Sequence, residues 1–169
     1  MFEISVDTSL SKVDFYKELD AQLTGLLYDE RDLICNAAQL SAFIMQSVPD
    51  LNWSGFYFAR GEALILGPYV GKVACTRIPF SKGVCGAAAT TRTVQRVEDV
   101  HRFPGHIACD GDTESELVIP VMVADTLLAV FDLDSPIKGR FTLEDQQGIA
   151  QLVATFINAT DFGWSLGSH

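Results

Sequence analysis

Apolar residues first recur at helical spacing. Phe15, Leu19, Leu23 and Leu26/Leu27 follow one another at i, i+4, i+8 and i+11/12, with Lys17, Glu18 and Gln22 between them, which predicts an amphipathic helix. A second helix is predicted over about 31–48, with Leu33, Ala37, Leu40/Ser41, Ile44 and Val48 as its stripe and Pro49 as its stop. Cys35 falls off that stripe and reads as a bystander. From residue 51 the pattern changes to strands. Residues 51–59 are rich in aromatics, and 62–69 follow after an Arg60-Gly61 turn, which predicts a hairpin. A third strand is predicted over 73–78, a short Ala-rich helix from 83, and a strand over 94–97. Residues 98–115 form a long polar loop, a length usually tied to function or disorder. Two strong strands, 116–123 and 127–134, are joined through Ala124-Asp125-Thr126. A last helix starts at Thr142, carries Glu144 and Asp145 in its first turn, and buries Ile149, Leu152, Val153 and Phe156. The segment 163–169 reads as a loose tail. Helices at both ends and hairpin-joined strands between them predict an α+β domain with a largely antiparallel sheet.

Length and composition narrow the function. The chain has 169 residues, within the range of one domain. Apolar residues make up 48%, enough for a core, and charged residues 20%. With 22 acidic against 12 basic residues the net charge is −10, which disfavours nucleic acid and anionic membranes as partners. No apolar run approaches the roughly 20 residues of a membrane span. Met1-Phe2-Glu3-Ile4 lacks the basic start and apolar stretch of a signal peptide. The expected location is the cytoplasm, where most of the four cysteines, Cys35, Cys75, Cys85 and Cys109, would be free thiols. No metal site is expected: there is no Cys-x-x-Cys pair, and His101, His106 and Cys109 form an irregular set.

Several side chains point to chemistry. Trp53 and Tyr57 are four apart and share a strand face, with Gly55 leaving space between them. They are either two core aromatics or the wall of a pocket. Asp132 and Asp134 share a face, while Phe131 and Leu133 point the other way. Two carboxylates there are costly unless paired or exposed at the strand end. Glu116 begins the neighbouring strand. Two aromatics and three carboxylates suggest a pocket for a small cation. Cys85 follows glycines at a helix start, where the dipole favours thiolate. Cys109 lies three residues after His106 and next to Asp110, and Cys75 lies ten residues before Cys85. Serine-hydrolase, P-loop and zincin motifs are absent.

Longer stretches carry a resemblance. Asn52-Trp53-Ser54-Gly55-Phe56-Tyr57, the run from Leu66-Gly67-Pro68-Tyr69 through Cys75 to Ile78-Pro79, Gly83-Val84-Cys85-Gly86, Gly105-His106-Ile107-Ala108-Cys109-Asp110, Ser115-Glu116-Leu117 and Asp132-Leu133-Asp134-Ser135 are similar to the free methionine-(R)-sulfoxide reductases, enzymes built on a GAF domain. The resemblance spans roughly residues 14–160, and Cys35 lies outside its pattern. It implies one GAF-like domain over 1–169, with N-terminal helices at about 11–48, sheet and active-site loops at about 51–135 and a C-terminal helix at about 142–159. Its central antiparallel sheet would have about six strands, terminal helices on one face and the ligand pocket on the other. It implies that Cys109 attacks the sulfoxide and becomes a sulfenic acid, that Cys75 or Cys85 condenses with it, and that thioredoxin reopens the disulfide, with no further cofactor. Trp53, Tyr57, Glu116, Asp132 and Asp134 would bind substrate. A homodimer is allowed. The competing class is a GAF sensor, for a small molecule or for redox state, without turnover.

Overall fold

The computed structural model describes residues 2–105 and 110–163. Two helices open the chain: α1, Lys12–Leu26, and α2, Leu33–Ser47. Ser11 and Asp32 cap them by accepting the backbone N–H groups of Asp14 and Cys35. The hairpin strands follow as β1, Trp53–Arg60, and β2, Ala63–Gly71, and then the short β3, Arg77–Pro79. Helix α3, Gly83–Thr91, leads to β4, Gln95–Val97, and a single 3₁₀ turn at Val100–Arg102. Strands β5, Ser115–Val123, and β6, Thr126–Ser135, precede α4, Leu143–Ala159. Among the described residues six strands make one antiparallel sheet in the order β3-β2-β1-β6-β5-β4. No described helix is long and apolar enough to cross a membrane.

Strand alternation divides the core in two. Phe56, Leu117, Ile119, Phe131 and Leu133 face α1, α2 and α4, and pack with Leu19, Leu23, Leu40, Ile44, Ile149, Leu152 and Phe156. Trp53, Tyr57, Val118 and Val130 face the other way and pack with α3 through Val84, Cys85, Ala88 and Ala89. The expected arrangement, terminal helices on one face and a pocket on the other, is what the fold shows.

Two expectations need correction. The strand expected over 73–78 forms only at Arg77–Pro79. Gly71 closes β2 at φ 145°, and the chain then leaves the sheet, so that Val73 is 86% exposed. In α1 the residue that fills the interior beside Leu19 and Leu23 is Tyr16, whereas Phe15 is only half-buried. Tyr16 takes that place because its hydroxyl donates to Asp145 at 2.8 Å, a partner 129 residues away.

Asp145 is the electrostatic centre of the helical face. Its side chain is 2% exposed and accepts from Lys12 Nζ at 2.5 Å, Arg140 Nη1 at 3.1 Å and the Thr142 backbone N–H at 2.8 Å. Burial alone would raise its pKa. The hydrogen bonds from Lys12, Thr142 and Tyr16 and the charge of Arg140 outweigh burial and hold it at about 2. Because the folded value lies below the ordinary one, the stabilisation is present above about pH 4 and is lost as pH falls toward the folded pKa. The shift corresponds to about 2 kcal/mol. Asp145→Ala also strands Lys12, Arg140 and Tyr16, so a loss of about 3–5 kcal/mol is expected in urea unfolding at neutral pH. The gap to the wild type should narrow on acidification to about pH 2. A loss below about 1 kcal/mol would place the network with ordinary surface pairs.

Candidate functional site

The pocket is built on three adjacent strands. Register pairs Trp53 with Asp134 and Asp134 with Glu116 in one row, and Gly55 with Asp132 and Asp132 with Val118 in the next. All of these side chains lie on the face away from the terminal helices, because strand residues two apart share a face. Helix α3 covers this face and delivers Cys85 to it. The cavity is lined by Trp53, Tyr57, Cys85, Glu116, Asp132 and Asp134, with Asp110 and Thr113 at its rim. It encloses about 520 Å³, its open mouth included.

Its aromatic wall is a stack of three rings. Trp53 lies 5.7 Å from Tyr57 with planes 19° apart, and 5.2 Å from Tyr69 with planes 13° apart. The Trp53 indole N–H donates to the Lys72 carbonyl at 3.2 Å, which fixes the ring plane. Two glycines make room for it: a Cβ on Gly55 would meet Tyr69 and Trp53, and one on Gly71 would meet the Trp53 ring. Tyr69 was not among the expected site residues. The hairpin register, which sets it opposite Gly55, is the signal that would have found it.

Charge beside the rings is held where water is scarce. Glu116 and Asp132 are each 6% exposed. Burial, followed by the Asp132 and Asp134 charges, raises the Glu116 pKa well above the carboxylate range. Burial pushes Asp132 up to about 6, with hydrogen bonds from Cys85 and Glu116 limiting the rise. Burial and the charges of Asp132 and Asp110 raise Asp134 as well. Crowded carboxylates were expected to raise at least one of these values. All three rise, and desolvation is the larger cause. Asp132 Oδ1 is buried without a hydrogen-bond partner.

The thiols divide by environment. Cys85 Sγ lies 3.8 Å from Glu116 Oε1. The thiolate expected from its place at a helix start is not favoured, because burial and the Asp132 and Glu116 charges raise its pKa well above the usual thiol value. Proximity to the carboxylates and loss of water overcome the helix dipole. Cys75 is disulfide-bonded, Cys35 is exposed and free, and Cys85 is buried and free. Cys109 and His106, central to the expected chemistry, lie outside the described residues. The chain beside them is anchored: Asp110 accepts from Asn52 Nδ2 at 3.0 Å and from Lys72 Nζ at 3.3 Å, and Lys72 also pairs with Asp112.

These parts suit a zwitterion with an apolar arm. Buried carboxylates can receive an ammonium group, stacked rings can hold a sulfur-bearing chain, and a carboxyl titrating near neutrality can supply a proton. Comparison with known proteins agrees. The GAF domain family matches residues 22–160. The chain is 46% identical over 145 residues to the free methionine-R-sulfoxide reductase of Escherichia coli, covering 86% of this chain and 88% of that one. Among solved structures, the free methionine-R-sulfoxide reductase of Neisseria meningitidis in complex with its substrate superposes with a TM-score of 0.89 at 31% identity, covering 94% of this chain and 95% of that one. The reduced form of the Staphylococcus aureus fRMsr gives a TM-score of 0.83 at 40% identity, with 85% of this chain and 94% of that one covered. By fold and by sequence, the chain belongs to the GAF-domain family of free methionine-R-sulfoxide reductases.

Proposed function

We propose that the protein reduces free L-methionine-(R)-sulfoxide to L-methionine by thiol chemistry and is recycled in the cytoplasm by thioredoxin. The observation that carries this reading is the convergence of buried Glu116 and Asp132 and half-buried Asp134 with Trp53 and Tyr57 on one pocket. An amino acid with a free ammonium matches the carboxylates, and its methylsulfinyl chain matches the rings.

The Cys109 thiolate attacks the sulfoxide sulfur while a carboxyl group of the pocket protonates the oxygen. The new bond between the two sulfurs then breaks as the hydroxyl passes from the substrate sulfur to Cys109 Sγ, so that methionine leaves with the electron pair and Cys109 becomes a sulfenic acid. A second thiol condenses with it, releasing water and forming a disulfide. The dithiol of thioredoxin reduces that disulfide by exchange and is itself oxidised. Cys75 is the better resolving thiol: it is already engaged in a disulfide in this structure, whereas Cys85 is buried among acids that disfavour its thiolate. Cys85 then serves as pocket wall and reserve thiol.

The test is steady-state methionine formation from the free sulfoxide with dithiothreitol and with thioredoxin. Turnover is expected with both, and none with either would return the protein to the sensor class. The N-acetylated, amidated sulfoxide is expected to react far more slowly. Blocking the amine leaves the pocket carboxylates unpaired, and an unmade hydrogen bond to a charged group costs about 1.5–3 kcal/mol. That is about 10–150-fold in kcat/KM. Equal efficiency on the two substrates would exclude recognition of the free amino acid.

A further inference from the structure

We propose that Cys85, Glu116 and Asp132 bind a soft divalent cation, zinc above all, in the seat that the substrate ammonium takes, so that metal and substrate exclude each other. The inference rests on the substrate reading above for its competitive part, and on geometry alone for its metal part.

The donor atoms of these three buried residues all lie within 4.8 Å of one another. Zinc takes thiolate sulfur at about 2.3 Å and carboxylate oxygen at about 2.0–2.2 Å in a tetrahedral shell. The sulfur–oxygen edge of such a tetrahedron is about 3.6 Å, and Cys85 Sγ stands 3.8 Å from Glu116 Oε1. Little movement is needed to close around an ion. The three donors come from three different elements, α3, β5 and β6, each fixed by packing or by the sheet ladder. Asp132 Oδ1, buried and without a hydrogen-bond partner, is an independent sign that this wall is made for a positive occupant.

Donor chemistry selects the ion. One sulfur and two carboxylates favour zinc over magnesium or calcium, which prefer shells of oxygen alone. Three protein ligands leave a fourth position for water, the open pattern of exchangeable zinc sites. The second acidic group of the fold behaves differently. Asp99, His101 and Glu114 also cluster, but Lys138 Nζ already lies 2.9 Å from Asp99 and 3.7 Å from Glu114 and supplies their positive charge. Among the described residues that line the cavity of Cys85, Glu116 and Asp132, none is lysine or arginine.

The experiment uses the full chain in its disulfide form carrying Cys35→Ser, which removes the exposed thiol. Cobalt(II) is the probe, because thiolate ligation gives an intense charge-transfer absorption. One equivalent of cobalt is expected to produce that band, and zinc to abolish it. Cys85→Ser should remove the band. Glu116→Gln should weaken cobalt binding by at least about tenfold, since even outer-sphere partners are worth about 10–100-fold. Methionine should displace the metal, and in turnover assays zinc should raise KM with kcat unchanged. Absence of the band, or a band that survives Cys85→Ser, overturns the metal site. A band that methionine leaves untouched overturns the shared seat. Turnover measured with a chelator present tests the reductase reading separately, so the two can fail independently.

Discussion

Cys109→Ser is expected to lower kcat for free methionine sulfoxide by at least about 10³-fold, the scale on which enzymes lose activity with their nucleophile. A serine hydroxyl is not ionised near neutral pH and is a poor nucleophile at sulfur, whereas a thiol reaches its reactive form readily. Asp110, the next residue along, lines the pocket and is anchored by Asn52 and Lys72, so the variant should fold and bind substrate. The companion variant separates attack from resolution. Cys75→Ser should release one equivalent of methionine in a single turnover and then fail with thioredoxin, because the sulfenic acid has lost its partner thiol. Methionine formation at the wild-type rate in Cys109→Ser would remove Cys109 as the attacker. Undiminished steady-state turnover in Cys75→Ser with thioredoxin would pass the resolving role to Cys85.

What was legible in the sequence is what strict local periodicity governs. Strand residues two apart share a face wherever no bulge intervenes, so Asp132 and Asp134 could be set against Phe131 and Leu133 before any register was known. The ladder then brings in Glu116, which faces Asp134 directly. The order of helices and strands followed from pattern for the same reason. What failed depends on partners distant in the chain. Asp145 looks like an ordinary acid in the first turn of a helix, and only the docking of α1 makes it a buried ion. Phe15 fits the apolar stripe better than Tyr16, yet a hydroxyl that finds a buried carboxylate outranks hydrophobicity at that position. At Cys85 the local rule and the tertiary environment oppose each other. A helix start favours thiolate, and burial together with two carboxylates from the neighbouring strands reverses it. The segment 73–78 has strand composition but no neighbour to pair with beyond Arg77–Pro79.

The amides of the acidic wall should show function and stability moving in opposite directions. The folded pKa values of Glu116, Asp132 and Asp134 all lie above their ordinary values, chiefly through burial. Below about pH 4 these groups are protonated in both the folded and unfolded chain and cost nothing. As pH rises from about 4 toward the folded values, about 6 for Asp132, the unfolded chain gives up protons that the folded state keeps, and stability falls until the folded values are passed. For Asp132 the difference amounts to about 3 kcal/mol above that range. An amide carries no such proton. Asp132→Asn, Asp134→Asn and Glu116→Gln are therefore expected to raise stability at pH 8 by about 1–3 kcal/mol each, with little gain at pH 4. Catalytic efficiency should move the other way. Loss of a charged partner for the ammonium is worth about 1.5–3 kcal/mol, roughly 10–150-fold in kcat/KM. Asp132→Asn should act mainly on KM, whereas Asp134→Asn and Glu116→Gln should lower kcat as well, since whichever of them protonates the departing oxygen can no longer do so. Melting curves at both pH values, with kcat and KM for each variant, decide the matter. Near wild-type kinetics in all three amides would reduce the acidic wall to strand-end charges. A loss of stability at pH 8 would mean that the carboxylates hold the fold together rather than strain it for the sake of a positively charged guest.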